Sequence, residues 1–154
     1  MGLLIDSTVL IHAEREAQTP EDMVRELLDR FGDIELAISV MTAAELFHGC
    51  WRADTPARKA RRTDFVESVL SAIPAIPISL PIARLFGQLD ASLRQSGETI
   101  PTSDLLIAST ALARDDEMVT DNDRHFRRIP GLVVHRYPSE HRGGRSVGSA
   151  GKRR

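Results

Sequence analysis

Short apolar runs recur along this chain, and between them apolar residues fall three and four positions apart. The first run, Gly2 to Ile5, stops at Asp6 and predicts a buried strand that presents the aspartate at its carboxyl end. Helical character follows over Ser7 to Ala13. Met23, Val24, Leu27, Leu28 and Phe31 have the spacing of an amphipathic helix over 21–31, stopped by Gly32. Leu36 to Ser39 is strand-like, and a helix over about 40–52 sets Val40, Ala43, Ala44, Phe47 and Trp51 on one stripe, with Glu45 beside it. Pro56 opens a helix that is basic at first, through Arg58 to Arg62, and then apolar at Phe65, Val69, Leu70 and Ile73. Ala75 to Ile78 predicts a short strand whose Pro77 favours a sheet edge. A helix over 81–95 ends at Gly97, and strands over 117–120 and 132–135 close the pattern.

Between them lies the stretch Ile100 to Ala113. Its apolar and small positions, Leu105, Leu106, Ala108, Ala111 and Leu112, predict a helix meant for burial. Pro101 stops anything helical before it, Thr102 or Ser103 can cap it, and Asp104 meets the positive end of its dipole. Strands alternate with helices throughout, so the expected fold class is α/β, with a mostly parallel sheet covered on both faces.

Composition narrows the class further. With 154 residues, 42% hydrophobic and 27% charged, one domain can bury a core without staples. The single cysteine, Cys50, excludes an internal disulfide and reads as a buried thiol. No run approaches a membrane span and no leader pattern opens the chain, so a cytoplasmic protein with no membrane partner is expected. The net charge of −2 divides into +4 on the Gly/Ser/Arg-rich segment 138–154 and −6 on residues 1–137. Residues 1–137 are therefore expected to form the domain, and 138–154 a basic tail that is disordered when free.

The predicted topology gives the acids their meaning. In open parallel sheets the functional crevice lies beyond the carboxyl ends of the strands. Asp6, Glu45, Asp104 and the cluster Asp121-Asn122-Asp123 all fall on that edge. Each has a local explanation: Asp6 as a helix cap, Glu45 in a Thr42-x-x-Glu45 capping box, Asp104 at a dipole, Asp121 or Asp123 in a turn. Together they are like charges with no obvious Lys or Arg between them, and their pKa values are expected to be raised unless a cation separates them. Carboxylates without cysteine or paired histidines suit Mg²⁺ or Mn²⁺, and hydrolysis of phosphate esters is the chemistry that uses such a site. His12, His48, His125, His135 and His141 show no metal-ligand spacing and read as surface or packing residues.

Four runs, Leu3 to Ile11 around Asp6, Met41 to Gly49 around Glu45, Ile100 to Ala111 around Asp104, and Val119 to Leu132 around Thr120 and Phe126, together resemble the PIN domain. The similarity is specifically to VapC-type toxins of bacterial toxin–antitoxin pairs, and it covers roughly residues 2 to 137 with the motifs in family order. The resemblance implies a PIN-like three-layer α/β/α sandwich that binds Mg²⁺ and cuts RNA, a homodimer, and a cognate antitoxin that covers or invades the acidic groove. It implies that Asp6 and Asp104 are the principal metal ligands, that Glu45 orients water or helps hold metal, and that Thr120 positions water or a ligand. It sets Asn122 where the family's fourth acid is expected, a departure that leaves Asp121 or Asp123 to complete the shell.

Two other classes remain open. A Mg²⁺-dependent phosphohydrolase of the haloacid-dehalogenase type also begins with a strand ending in Asp, but Thr8 stands where its second acid is needed. A degenerate PIN domain would bind RNA or a partner without cutting.

Overall fold

The computed structural model describes residues 1–138. All but the first residue of the basic tail lies outside that range. Five strands, β1 (Gly2–Ile5), β2 (Glu35–Ser39), β3 (Ala75–Ile76), β4 (Glu117–Thr120) and β5 (Val134–Arg136), form one sheet in the order β3-β2-β1-β4-β5. Every neighbouring pair is parallel, with Leu4 beside Ala37 on one side and Met118 on the other. Six helices connect them: α1 (Ser7–Arg15), α2 (Pro20–Phe31), α3 (Val40–Trp51), α4 (Pro56–Ala72), α5 (Leu80–Gln95) and α6 (Thr102–Arg114).

The strands are apolar on both faces because both faces are covered. Leu3, Ile5, Leu36, Ile38 and Val119 pack toward Val9, Met23, Leu27, Leu46, Val66 and Val69 of α1 to α4. Leu4, Ala37 and Met118, the alternate positions, pack toward Leu93 of α5, Leu105, Ile107 and Ala108 of α6, and Phe126. This is the expected three-layer α/β/α arrangement. The central strand passes so close to β2 that a Cβ on Gly2 would lie 2.7 Å from the Glu35 carbonyl oxygen and 3.0 Å from Asp116.

Local chemistry explains most boundaries. Thr19 accepts from the Asp22 amide ahead of Pro20, Thr55 does the same for Arg58 ahead of Pro56, and Gly32 ends α2 at φ +90°. In α6 the buried hydroxyls of Ser109 and Thr110 satisfy themselves on the carbonyls of Leu105 and Leu106, which lets a helix with polar residues sink against the sheet.

Several expectations are corrected. The stripe that α3 buries is Thr42, Ala43, Leu46 and Cys50, one position earlier than the spacing suggested, and Trp51 is 74% exposed. The Thr42–Glu45 capping box does not form: Ser39 caps α3 by accepting from the Met41 amide, and Thr42 is buried within the helix. Neither Thr102 nor Ser103 caps α6, which starts after Pro101 without a side-chain cap. β3 is shorter than expected and does lie at an edge, while the last strand begins at Val134 rather than Leu132.

Candidate functional site

Strand order reverses at β1. The chain builds outward through β2 and β3, then crosses back to place β4 against the other side of β1. A crevice opens at such a switch point, beyond the carboxyl ends of the two strands, and Asp6 and Thr120 occupy those ends.

Asp6 sits at the cap position of α1, yet its side chain makes no capping bond. Its Oδ2 instead accepts from two hydroxyls, Thr8 Oγ1 and Thr120 Oγ1, each at 2.8 Å. Thr8 Oγ1 in turn accepts from the Asp121 amide at 3.0 Å, and Thr120 Oγ1 from the Asn122 amide at 3.0 Å. Each hydroxyl has one proton, and both protons point at Asp6. The loop after β4 is thereby stitched to the start of α1 through a single carboxylate oxygen.

The other two acids are held in the same manner. Ser7 Oγ donates to Glu45 Oε2 at 2.6 Å, and the His125 ring meets Asp104 Oδ2 through Nδ1 at 2.6 Å. Among the described residues, no donor reaches the second oxygen of Asp6, Glu45 or Asp104. Burial, above all, raises the Asp6 carboxyl above its ordinary range; the bonds from Thr120 and Thr8 oppose this, and the charges of Glu45 and Asp104 add to it.

The loop residues divide. Asp123 pairs with Arg127, and that bond lowers its carboxyl below the usual range, opposite to the shift expected for a member of a repelling cluster. Its carboxylate is engaged with an arginine. Asp121 and Asn122 contribute their backbone amides to the hydroxyl clamp, and Asn122 is otherwise exposed. His125 is no bland surface histidine. Buried Phe126, the next residue, anchors the loop that presents it, and its place immediately before that aromatic was the one signal the sequence offered. The hydroxyls of Ser7 and Thr8, which directly follow Asp6, also belong to the site, and nothing in their residue type or spacing signals it.

Among the described residues, no three His, Cys, Asp or Glu side chains close on one point as a ready-made cage. The donor set is three carboxylates, Asp6 buried and Glu45 and Asp104 half-buried, each with one oxygen tied and one not. That chemistry fits a hydrated divalent ion, which keeps several of its waters, better than a fully protein-ligated one.

A three-layer α/β/α domain with carboxylates gathered at the switch point of a parallel sheet is the class that fold and site define. The PIN domain family profile matches residues 3–132, and the chain belongs to that family. The chain is similar to ribonuclease VapC2 of Rickettsia felis, 31% identical over 134 residues, covering 87% of this chain and 96% of the relative. It is also 31% identical over 98 residues to the tRNA(fMet)-specific endonuclease VapC of Shigella flexneri, covering 64% and 72%. Among solved structures, VapBC2 of Rickettsia felis bound to a promoter DNA fragment matches with a TM-score of 0.75 at 28% identity, covering 89% of this chain and 99% of that one.

Proposed function

We propose that this protein is a divalent-cation-dependent endoribonuclease of the VapC type, a toxin held in check by a cognate antitoxin and acting as a homodimer. The observation that carries this reading is the set of three carboxylates, buried Asp6 with Glu45 and Asp104, each tied at one oxygen by side chains that donate to it. Relatives named as VapC ribonucleases and structural neighbours that are VapBC complexes support the activity and the antitoxin.

In this reading Asp6 and Asp104 are the principal ligands of Mg²⁺, or Mn²⁺ in its place, and Glu45 orients water or shares the ion. The bound ion supplies Lewis acidity and a water of lowered pKa for hydrolysis of the RNA phosphodiester, leaving a 5′-phosphate and a 3′-hydroxyl. Thr120 and Thr8 aim Asp6, Ser7 aims Glu45, and His125 aims Asp104. Asn122 stands at the family's fourth acidic position and offers a carbonyl, while Asp121 is the better candidate for a water-mediated contact because Asp123 is engaged by Arg127. Where a haloacid-dehalogenase-type enzyme needs its second acid, Thr8 instead donates to Asp6.

Incubation of the purified chain with tRNA, rRNA and mRNA, with Mg²⁺ or chelator, followed by end mapping, tests the proposal. Metal-dependent cleavage leaving 5′-phosphates is expected. Asp104→Asn should stay folded and lose more than the ~10–100-fold that removal of an outer-shell partner costs. Phosphate release from small esters without RNA cleavage would mark a phosphohydrolase, and RNA binding without cleavage a degenerate domain.

A further inference from the structure

The last strand returns the chain to the acid site just before the basic tail begins. β5 runs parallel to β4 with Arg136 beside Thr120, so both strands end at the edge where the crevice opens. The Tyr137 amide donates to the Thr120 carbonyl at 2.9 Å, and the Thr120 hydroxyl is one of the two that hold Asp6. Tyr137 itself is buried; its phenol donates to Glu26, and Arg30 lies against its ring and donates to the Arg136 carbonyl. The point from which the tail departs is therefore fixed, beside a residue that holds Asp6.

What departs there is opposite in charge to what it leaves. Segment 138–154 carries Arg142, Arg145, Lys152, Arg153 and Arg154 against Glu140, while residues 1–137 carry −6. The family match ends at residue 132, so these cations lie beyond the shared domain. A net-negative domain repels a polyanion, and its own arginines around the site are largely engaged. Arg127 is bound to Asp123, Arg128 to Glu98 and the Thr99 carbonyl, Arg58 to Asp54, and Arg62 to the Gly49 carbonyl. Among the described residues of the loop after β4, the Arg124 side chain alone is a cation without such a bond.

Residues 139–154, fully extended, would span ~50 Å, which sets two anions within reach: the acids themselves and a strand of RNA. The acids offer little to five cations. Asp6 is 3% exposed, Glu45 and Asp104 are half-buried, and each has one oxygen already tied. A divalent ion among them would repel further cations. A single RNA strand instead presents a phosphate at every nucleotide, and Arg and Lys spaced by Gly, Ser and Ala can follow it, with affinity coming from released counterions. We infer that the 138–154 segment holds the phosphates of single-stranded RNA lying at the acid site, supplying cations that the domain lacks. The inference rests on the ribonuclease reading, since it says how that substrate is retained.

The test keeps the whole chain and changes only charge. R142Q/R145Q/K152Q/R153Q/R154Q removes the five cations, and R142K/R145K/R153K/R154K keeps them. Anisotropy of a labelled, unstructured oligoribonucleotide in chelator, across a salt titration, reads binding without cleavage. The glutamine variant should bind about tenfold more weakly at low salt, with the slope of log K on log salt reduced by about 2 to 3.5, up to five contacts at roughly 0.7 each. The lysine variant should keep affinity and slope, because a phosphate held by charge alone accepts either cation. With Mg²⁺ the glutamine variant should show a raised KM, a wild-type kcat and a wild-type thermal midpoint. If it binds with the wild-type slope while both proteins cut RNA, the tail holds no phosphates and the ribonuclease reading stands. If it cuts faster than wild type and needs less Mg²⁺, the segment covers the acids instead, which overturns the assignment. If wild type cuts no RNA, the ribonuclease reading fails and the inference with it.

Discussion

Ser7 and His125 each control one oxygen of an acid they are far from in sequence: Ser7 and Glu45 are 38 residues apart, and His125 and Asp104 are 21 apart. Spacing along a chain carries no information about such pairs, which is why the three acids were legible and their holders were not. Asp6 and Glu45 could be placed because each follows a strand end closely, and Asp104 because Pro101 fixes where α6 begins. Trp51 misled for a different reason. Adjacent stripes on a helix lie about 100° apart, and the bulk of Phe47 and Trp51 favoured the wrong one over the stripe that shares Ala43 but continues through the smaller Thr42, Leu46 and Cys50. If the holders matter, Ser7→Ala and His125→Ala should each lower cleavage ~10–100-fold and raise the Mg²⁺ concentration needed for half-maximal rate. His125→Asn, which keeps an amide donor, should recover part of the loss. Kinetics across a metal titration, with thermal midpoints to exclude misfolding, checks this; an unchanged metal requirement would reduce both residues to packing.

At the level of elements, the helices and strands of the domain were recoverable from periodicity, while caps and ends were not. The Thr42-x-x-Glu45 pattern was a valid capping box in sequence, but Ser39, at the very end of β2, already supplies the cap, and β2 runs into α3 without a loop. β3 is reduced to two residues, with Pro77 directly after it. The sharpest constraint on an element is one that pattern reading overlooks, the absence of a side chain at Gly2. Its neighbour is the Glu35 backbone, which cannot rotate away. Gly2→Ala must therefore push β1 from β2 or from the Asp116 side chain, which Arg114 holds at 2.7 Å. A loss of about 1–3 kcal/mol in denaturant unfolding is expected, and a midpoint equal to wild type would mean that the strand pair yields without cost.

At the scale of the whole molecule, burial of Asp6 beside Glu45 and Asp104 is a stability liability. A carboxyl whose pKa is raised by folding binds its proton more tightly in the native state, so stability falls as pH rises from the unfolded-state value of 3.8 through the raised native value. Asp6→Asn removes that dependence. Without metal the variant should gain on wild type as pH rises through this window, by on the order of 1 kcal/mol at neutral pH and low salt. Mg²⁺ at a hundredfold excess over its Kd should stabilise wild type by about 2.7 kcal/mol and Asp6→Asn far less. Thermal unfolding of both proteins from pH 4 to 8, with and without Mg²⁺, reads all of these; a pH profile and metal response shared by the two would mean that Asp6 neither titrates as described nor holds an ion.

Of the five strands described, β1 comes first in chain order and lies at the centre of the sheet, and its second neighbour, β4, does not begin until Glu117. A nascent chain that has emerged only as far as α5 carries Asp6 and Glu45 but lacks Asp104, Thr120 and His125, and one edge of β1 has no partner. Pairings of such sequence separation form late. Prematurely ended translation products would thus contain two of the three carboxylates and, of the two clamping threonines, only Thr8, so a cell making this protein meets an assembled acid site only when synthesis of the domain is nearly finished.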